Sequence, residues 1–187
     1  MNHPFMAAVA AELASRGIAS LRYQFPYMER GAKRPDPPQL AQATVRSAVA
    51  TAVALLPEHL LIAGGKSFGG RMTSQAQARA PLQRIHGLAF LGFPLHPADR
   101  PSQDRGGHLF EVQIPMLFLQ GTRDNLASLD EIKPLCEKLG RRATLKLFAD
   151  ADHSFHVAAR TGRKDVEVLS EVIDRFAAWL SSVTRNS

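Results

Sequence analysis

Apolar positions along the chain switch between two periods. Phe5, Val9 and Leu13 recur four residues apart, the spacing of one helix face, and Gly17 stands where that helix would end. Residues 38–56 repeat the pattern with Leu40, Val45, Val49, Ala52 and Val53 inward, and the pattern stops before Pro57. Residues 71–79 and 129–139 are helical in composition, and residues 165–183 carry Val166, Leu169, Ile173, Phe176 and Leu180 on one face. Between these helices, residues 19–25, 60–63, 87–92, 114–120 and 143–148 are short runs that predict strands, the third and fourth apolar enough to be buried on both faces. Five strands alternating with helices predict an α/β fold: a three-layer α/β/α sandwich around a mostly parallel sheet, with right-handed crossovers. Without repeats or a linker-like stretch, residues 1–187 read as one domain; the proline-rich residues 34–38 are short enough to be a loop leading into a helix.

In such sheets ligands bind beyond the carboxyl ends of the strands. Three strand ends carry polar residues of catalytic type: Ser67 after the second strand, Asp124 after the fourth and His153 after the fifth. The stretch AGGKSFGG at residues 63–70 admits two chemistries. A phosphate-binding loop of the form G-x-x-x-x-G-K-S needs a glycine five positions before Gly65, and that position is Leu60, inside a strand. The rival pattern, G-x-S-x-G, is complete in Gly65, Ser67 and Gly69 and lies between a strand and a helix, the setting of a nucleophile elbow.

A serine needs a base to act as nucleophile, and the base needs an orienting acid. His153, directly after the last strand, is preferred over His156; His59, His86 and His108 read as solvated surface residues, and His96 is placed to line the site. Asp124 is the expected acid because a turn at Gly121 delivers it from a buried strand. Asp150 and Asp152 are the fallback, with turn capping as their ordinary role.

Composition narrows the class further. With 45% hydrophobic and 21% charged residues the chain is too apolar for disorder. The one cysteine, Cys136, has no internal disulfide partner, so a reducing, cytoplasmic setting is expected. The first seventeen residues lack a basic leader, and Glu12 and Arg16 interrupt the apolar run, so neither a signal peptide nor a membrane span is expected. A net charge of +6 comes from scattered lysines and arginines without interleaved aromatics, which reads as a solvated surface rather than a nucleic-acid site.

With these residues in place, the sequence resembles the α/β-hydrolase superfamily, in its small dienelactone-hydrolase-like branch, which is also similar to testis-expressed and chromatin-complex proteins of animals. The blocks HPFMAAVAAELASRGIASLRYQFPYM, GGKSFGGRM, FLGFPLHP, LQGTRD and DHSF carry the likeness over essentially the whole chain. The resemblance implies a triad of Ser67, Asp124 and His153, no metal or organic cofactor, and a small ester, lactone or thioester as substrate. It also implies an oxyanion donor at the Phe68 N–H; Met28, Phe68, Phe93 and Pro94 are candidate pocket walls, with core or turn packing as the ordinary role of each. One departure stands out: members carry a strand and a His-Gly-x-Gly loop upstream of the block that opens this chain, and that loop supplies the second oxyanion donor. The strand belongs between residues 19–25 and 60–63, so its lack would leave two strands unpartnered or force them to pair. An upstream extension, or Met1 and Asn2, would have to provide the donor, or it has been lost. The alternative expectation is therefore a catalytically weak or inactive hydrolase scaffold serving as an interaction module, with oligomeric state open.

Overall fold

The computed structural model describes residues 3–97 and 105–185. Its sheet has four parallel strands in chain order, β1 (Leu61–Lys66), β2 (Ile85–Leu91), β3 (Met116–Gly121) and β4 (Ala143–Phe148). Register pairs Lys66 with Leu91 and Gly121 with Phe148, so the carboxyl ends of the strands finish close to level. Side-chain alternation then builds two cores. Leu88, Phe90, Met116 and Phe118 face α3 (Pro38–Leu55), α4 (Phe68–Arg79) and α5 (Leu129–Leu139), while Ala89, Leu91, Leu117 and Leu119 face α1 (Pro4–Ala14) and α6 (Asp165–Arg185). Helix α2 (Pro26–Glu29) is a single turn.

Local chemistry explains the helix starts. α1, α2 and α3 each begin on a proline, whose missing N–H would be unpaired there anyway. α5 begins with a capping box between Ser128 and Glu131. α4 starts at Phe68, three residues before the predicted Arg71, because Ser67 itself turns the chain from strand to helix. Leu40 and Val166, expected inward, are 42% and 60% exposed; the buried stripes run instead through Ala41, Val45 and Val49 in α3 and Val168, Leu169, Val172 and Ile173 in α6. Cys136 faces the core from α5, and burial pushes its thiol up to about 12, which leaves it unreactive.

The first predicted strand, residues 19–25, does not form. Residues 18–25 run without regular structure, and no backbone hydrogen bond joins them to β1. Between them and β1 lies a cavity of about 270 Å³, walled by Ile18 to Tyr23 on one side and Leu61 to Gly65 on the other. An extended segment becomes a strand only where a neighbour accepts its backbone groups, and here that neighbour's place is empty space. β1 is consequently an edge strand: its six residues are all half-exposed, whereas all six of β3 are buried.

His108, expected at the surface, is half-buried. Its Nε2 lies 2.7 Å from Oγ of the fully buried Ser74 in α4. Burial, then the nearby Arg71 charge, lowers its pKa from 6.5 to about 4.

Two outcomes follow from this architecture. Hydrogen exchange should find the β3 amides protected up to global unfolding and the β1 amides that point away from β2 exchanging much faster; equal protection would mean that the β1 edge is covered. Because the unfolded chain takes up a proton at His108 near pH 6.5 and the fold only near pH 4, the unfolded state binds more protons in between. Stability should therefore decline as pH falls through that window. His108→Gln should flatten the decline, measured as denaturation midpoint against pH.

Candidate active site

Ser67 sits between β1 and α4 with φ 50° and ψ −115°, a left-handed backbone that side chains other than glycine rarely adopt. Such a conformation costs about 1–3 kcal/mol and persists only when its surroundings hold it. Here the Ser67 N–H donates to the Leu91 carbonyl at 3.1 Å, and the Ser67 carbonyl accepts from the Arg71 N–H at 3.1 Å. Gly70 lets α4 approach the strand, since a Cβ there would meet the Gly65 carbonyl oxygen at 2.7 Å and the Phe90 ring at 3.1 Å. As the first residue of α4, Phe68 has an N–H with no partner within the helix, at the positive end of its dipole.

Asp124 leaves the end of β3 through a turn at Gly121 and buries its side chain completely. Its Oδ1 accepts the Leu126 N–H at 2.8 Å, and its Oδ2 accepts from Gln120 Nε2 at 2.6 Å. The remaining partner of Oδ2 is His153 Nδ1, at 2.7 Å. A carboxylate only accepts, so Nδ1 must carry the proton, and in the neutral ring Nε2 is left as the acceptor. That Nε2 is buried and has no hydrogen-bond partner. The ring rests on Gly92 (φ 68°), where a Cβ would come within 3.2 Å of Nδ1 and 3.3 Å of Cε1.

The loop that carries His153 is tightly turned. Asp152 Oδ1 accepts the N–H groups of Ser154 and His156, and the Phe155 N–H returns to the Asp152 carbonyl. Asp150, at φ 59°, donates its N–H to Thr122 Oγ1 on the surface. The Asp152 carboxylate is therefore occupied with loop geometry and Asp150 joins the turn through its backbone, while Asp124 meets the histidine. His156 points outward to Asp165 at 2.8 Å, and that hydrogen bond raises its pKa.

A cavity of about 380 Å³ opens beside the serine, lined by β1 and the elbow from Gly64 to Gly69 and by residues 21–25 with Tyr27 and Met28. Met28 and Phe68, two of the expected walls, line it; the Phe68 ring packs edge-on against Phe25 and Tyr27. Phe93 and Pro94 do not. Phe93 is fully buried between Phe90 and Phe118, because the chain turns inward after Gly92, and Pro94 is buried beside it. His96 likewise does not line this cavity: its Nε2 meets Glu131 at 3.0 Å and its Nδ1 the Pro97 carbonyl at 2.7 Å. Met1 and Asn2 lie outside the described residues. Among the described residues no cluster of three metal-type ligands occurs, and no helix is long and apolar enough to cross a membrane.

Sequence reasoning missed Gln120. It is fully buried, accepting the Phe93 N–H at 2.9 Å while donating to Asp124. The available signal was an amide closing the otherwise apolar run IPMLFLQ.

Residues 1–181 match the family described as "Alpha/beta hydrolase domain". Among solved structures, a serine hydrolase without a lid from Xanthomonas campestris superposes with a TM-score of 0.72 at 23% identity, over 96% of this chain and 75% of that one. An α-β serine hydrolase homologue from Coxiella burnetii gives 0.73 at 16% identity, covering 94% and 77%. A candidate dienelactone hydrolase from Klebsiella pneumoniae gives 0.65 at 17%, covering 96% and 81%. At these identities the likeness is one of fold.

If the elbow is strained as described, Ser67→Gly should raise stability by about 1 kcal/mol, the strain relieved less the extra freedom of glycine in the unfolded chain. Ser67→Ala should not. Denaturant midpoints of the two variants make the comparison; equal shifts would mean that the backbone at residue 67 is unstrained.

Proposed function

Because this chain belongs to the alpha/beta hydrolase family, we propose that it is a serine hydrolase acting on a small ester, lactone or thioester through an acyl-enzyme on Ser67. The observation that carries the reading is the state of His153: Nδ1 is committed to a buried carboxylate, and Nε2 is buried, unpartnered and left as an acceptor. A ring held that way is a general base waiting for a proton.

The proposed steps are those of a serine hydrolase. His153 Nε2 takes the Ser67 hydroxyl proton as Oγ attacks the carbonyl carbon, forming the C–O bond and moving the carbonyl electron pair onto oxygen. The Phe68 N–H and the dipole of α4 stabilise that oxyanion. As the tetrahedral intermediate collapses, the alcohol or thiol departs with the proton held by His153. Water, deprotonated by the same nitrogen, then releases the acid and regenerates the hydroxyl. Asp124 keeps the ring in orientation and offsets the imidazolium charge throughout.

The cavity beside the elbow, with Met28 and Tyr27 opposite Phe68, suits a compact acyl or alcohol group. One N–H from Phe68 supplies half of an ordinary oxyanion hole.

The test is labelling by a fluorophosphonate together with turnover of short-chain p-nitrophenyl esters. Both should be lost in Ser67→Ala, and Asp124→Asn should lower kcat by about 10⁴-fold. A folded wild type that neither labels nor turns over would reject the reading, and full activity in Asp124→Asn would move the acid elsewhere.

A further inference from the structure

Within residues 63–70, Lys66 is the side chain to which hydrolysis assigns no task, and it is not placed as a surface lysine. Its Nζ donates a 2.7 Å hydrogen bond to the backbone carbonyl of His153. The same ammonium lies 5.0 Å from the centroid of the Phe5 ring, on α1, in cation–π range. Phe5 in turn stacks on Phe155, two residues beyond His153, with centroids 5.9 Å apart and planes 10° from parallel. Phe155 is buried at φ 61° and packs edge-on against Phe148 at the end of β4. Lys66, Phe5 and Phe155 thus form a buttress under the loop that presents the base.

This arrangement gives up both hydration and side-chain freedom. Burial lowers the Lys66 pKa, and the charges of Asp124 and Asp152 oppose that shift. What the lysine gains is a particular connection. It is the residue immediately before the nucleophile, and its partner is the backbone of the base, 87 positions away in sequence. Asp152 holds the amides after His153 and Asp124 holds its ring; the His153 carbonyl is held by Lys66.

Resting on the reading of Ser67 as nucleophile, the geometry points to Lys66 as a positioning residue, one that ties the strand carrying Ser67 to the backbone of His153 and so sets Nε2 relative to the serine oxygen. Lys66 also borders the cavity beside Ser67, so a role in holding substrate is the rival that the test must separate.

Lys66→Met keeps the length of the stem and removes the donor. For p-nitrophenyl butyrate, kcat should fall about 10- to 100-fold, the scale on which displacing a catalytic group by about 1 Å acts. KM should stay within about twofold of wild type. Lys66→Arg, which keeps both a donor and a positive charge, should recover most of the loss. Independently of turnover, the downfield proton signal of the His153 Nδ1–H, assigned by its loss in His153→Gln, should broaden or shift in Lys66→Met and return in Lys66→Arg. Should Lys66→Met fail to fold, Lys66→Gln, a donor without charge, is read by the same two measurements. Unchanged kcat with an unchanged imidazole signal, a loss confined to KM, or a loss that arginine does not recover would each overturn the assignment. If wild type shows no Ser67-dependent turnover, the hydrolase reading fails, while the imidazole signal still decides whether Lys66 orients His153.

Discussion

A carboxylate taken wholly out of water is the constraint on which the site depends. Leaving the Asp124 charge unpaired would cost several kcal/mol, so both of its oxygens must be met. The fold meets them from three places: Gln120 at the end of β3, the Leu126 amide in the turn beyond, and the His153 ring from the loop after β4. Satisfying that charge also fixes the tautomer and direction of the imidazole. The hydrogen bonds that satisfy the buried charge and those that orient the imidazole are therefore the same. Gln120 extends the network to the Phe93 amide after β2, so Asp124 is tied to two neighbouring strand ends.

Ser67 lies beyond the end of β1, an edge strand of the sheet. Among the described residues β1 pairs only with β2, and its outer edge faces the cavity beneath residues 18–25. The elbow is held instead from the well-packed side, by the Leu91 carbonyl beneath the Ser67 amide, by close approach of α4 at Gly70, and by Lys66 reaching to His153. A strained serine needs such support.

How much of this was legible in the sequence depends on how local each cause is. Four strands and the helices between them follow from periodicity, and the ends carrying Ser67, Asp124 and His153 follow from the rule that parallel sheets work at their carboxyl edges. Residues 19–25 show the limit of that reasoning, because extended propensity becomes a strand only with a partner, and partnership is a property of the whole sheet. Phe93 shows another. Sequence leaves it between pocket wall and core, and the turn at Gly92 sends it into the core between two other phenylalanines. Gln120 and the second role of Lys66 lay in plain view as polar residues in apolar or glycine-rich company, but their partners are distant in sequence and nothing local names them.

The central claim is that Ser67 is acylated with His153 as its base, and rapid mixing of the protein with excess p-nitrophenyl acetate tests it most directly. The account predicts a burst of about one equivalent of p-nitrophenol per chain, with the acetyl group recovered on the peptide containing Ser67 after acid quench. Turnover without an acyl adduct, or an adduct on another residue that persists in Ser67→Ala, would contradict it.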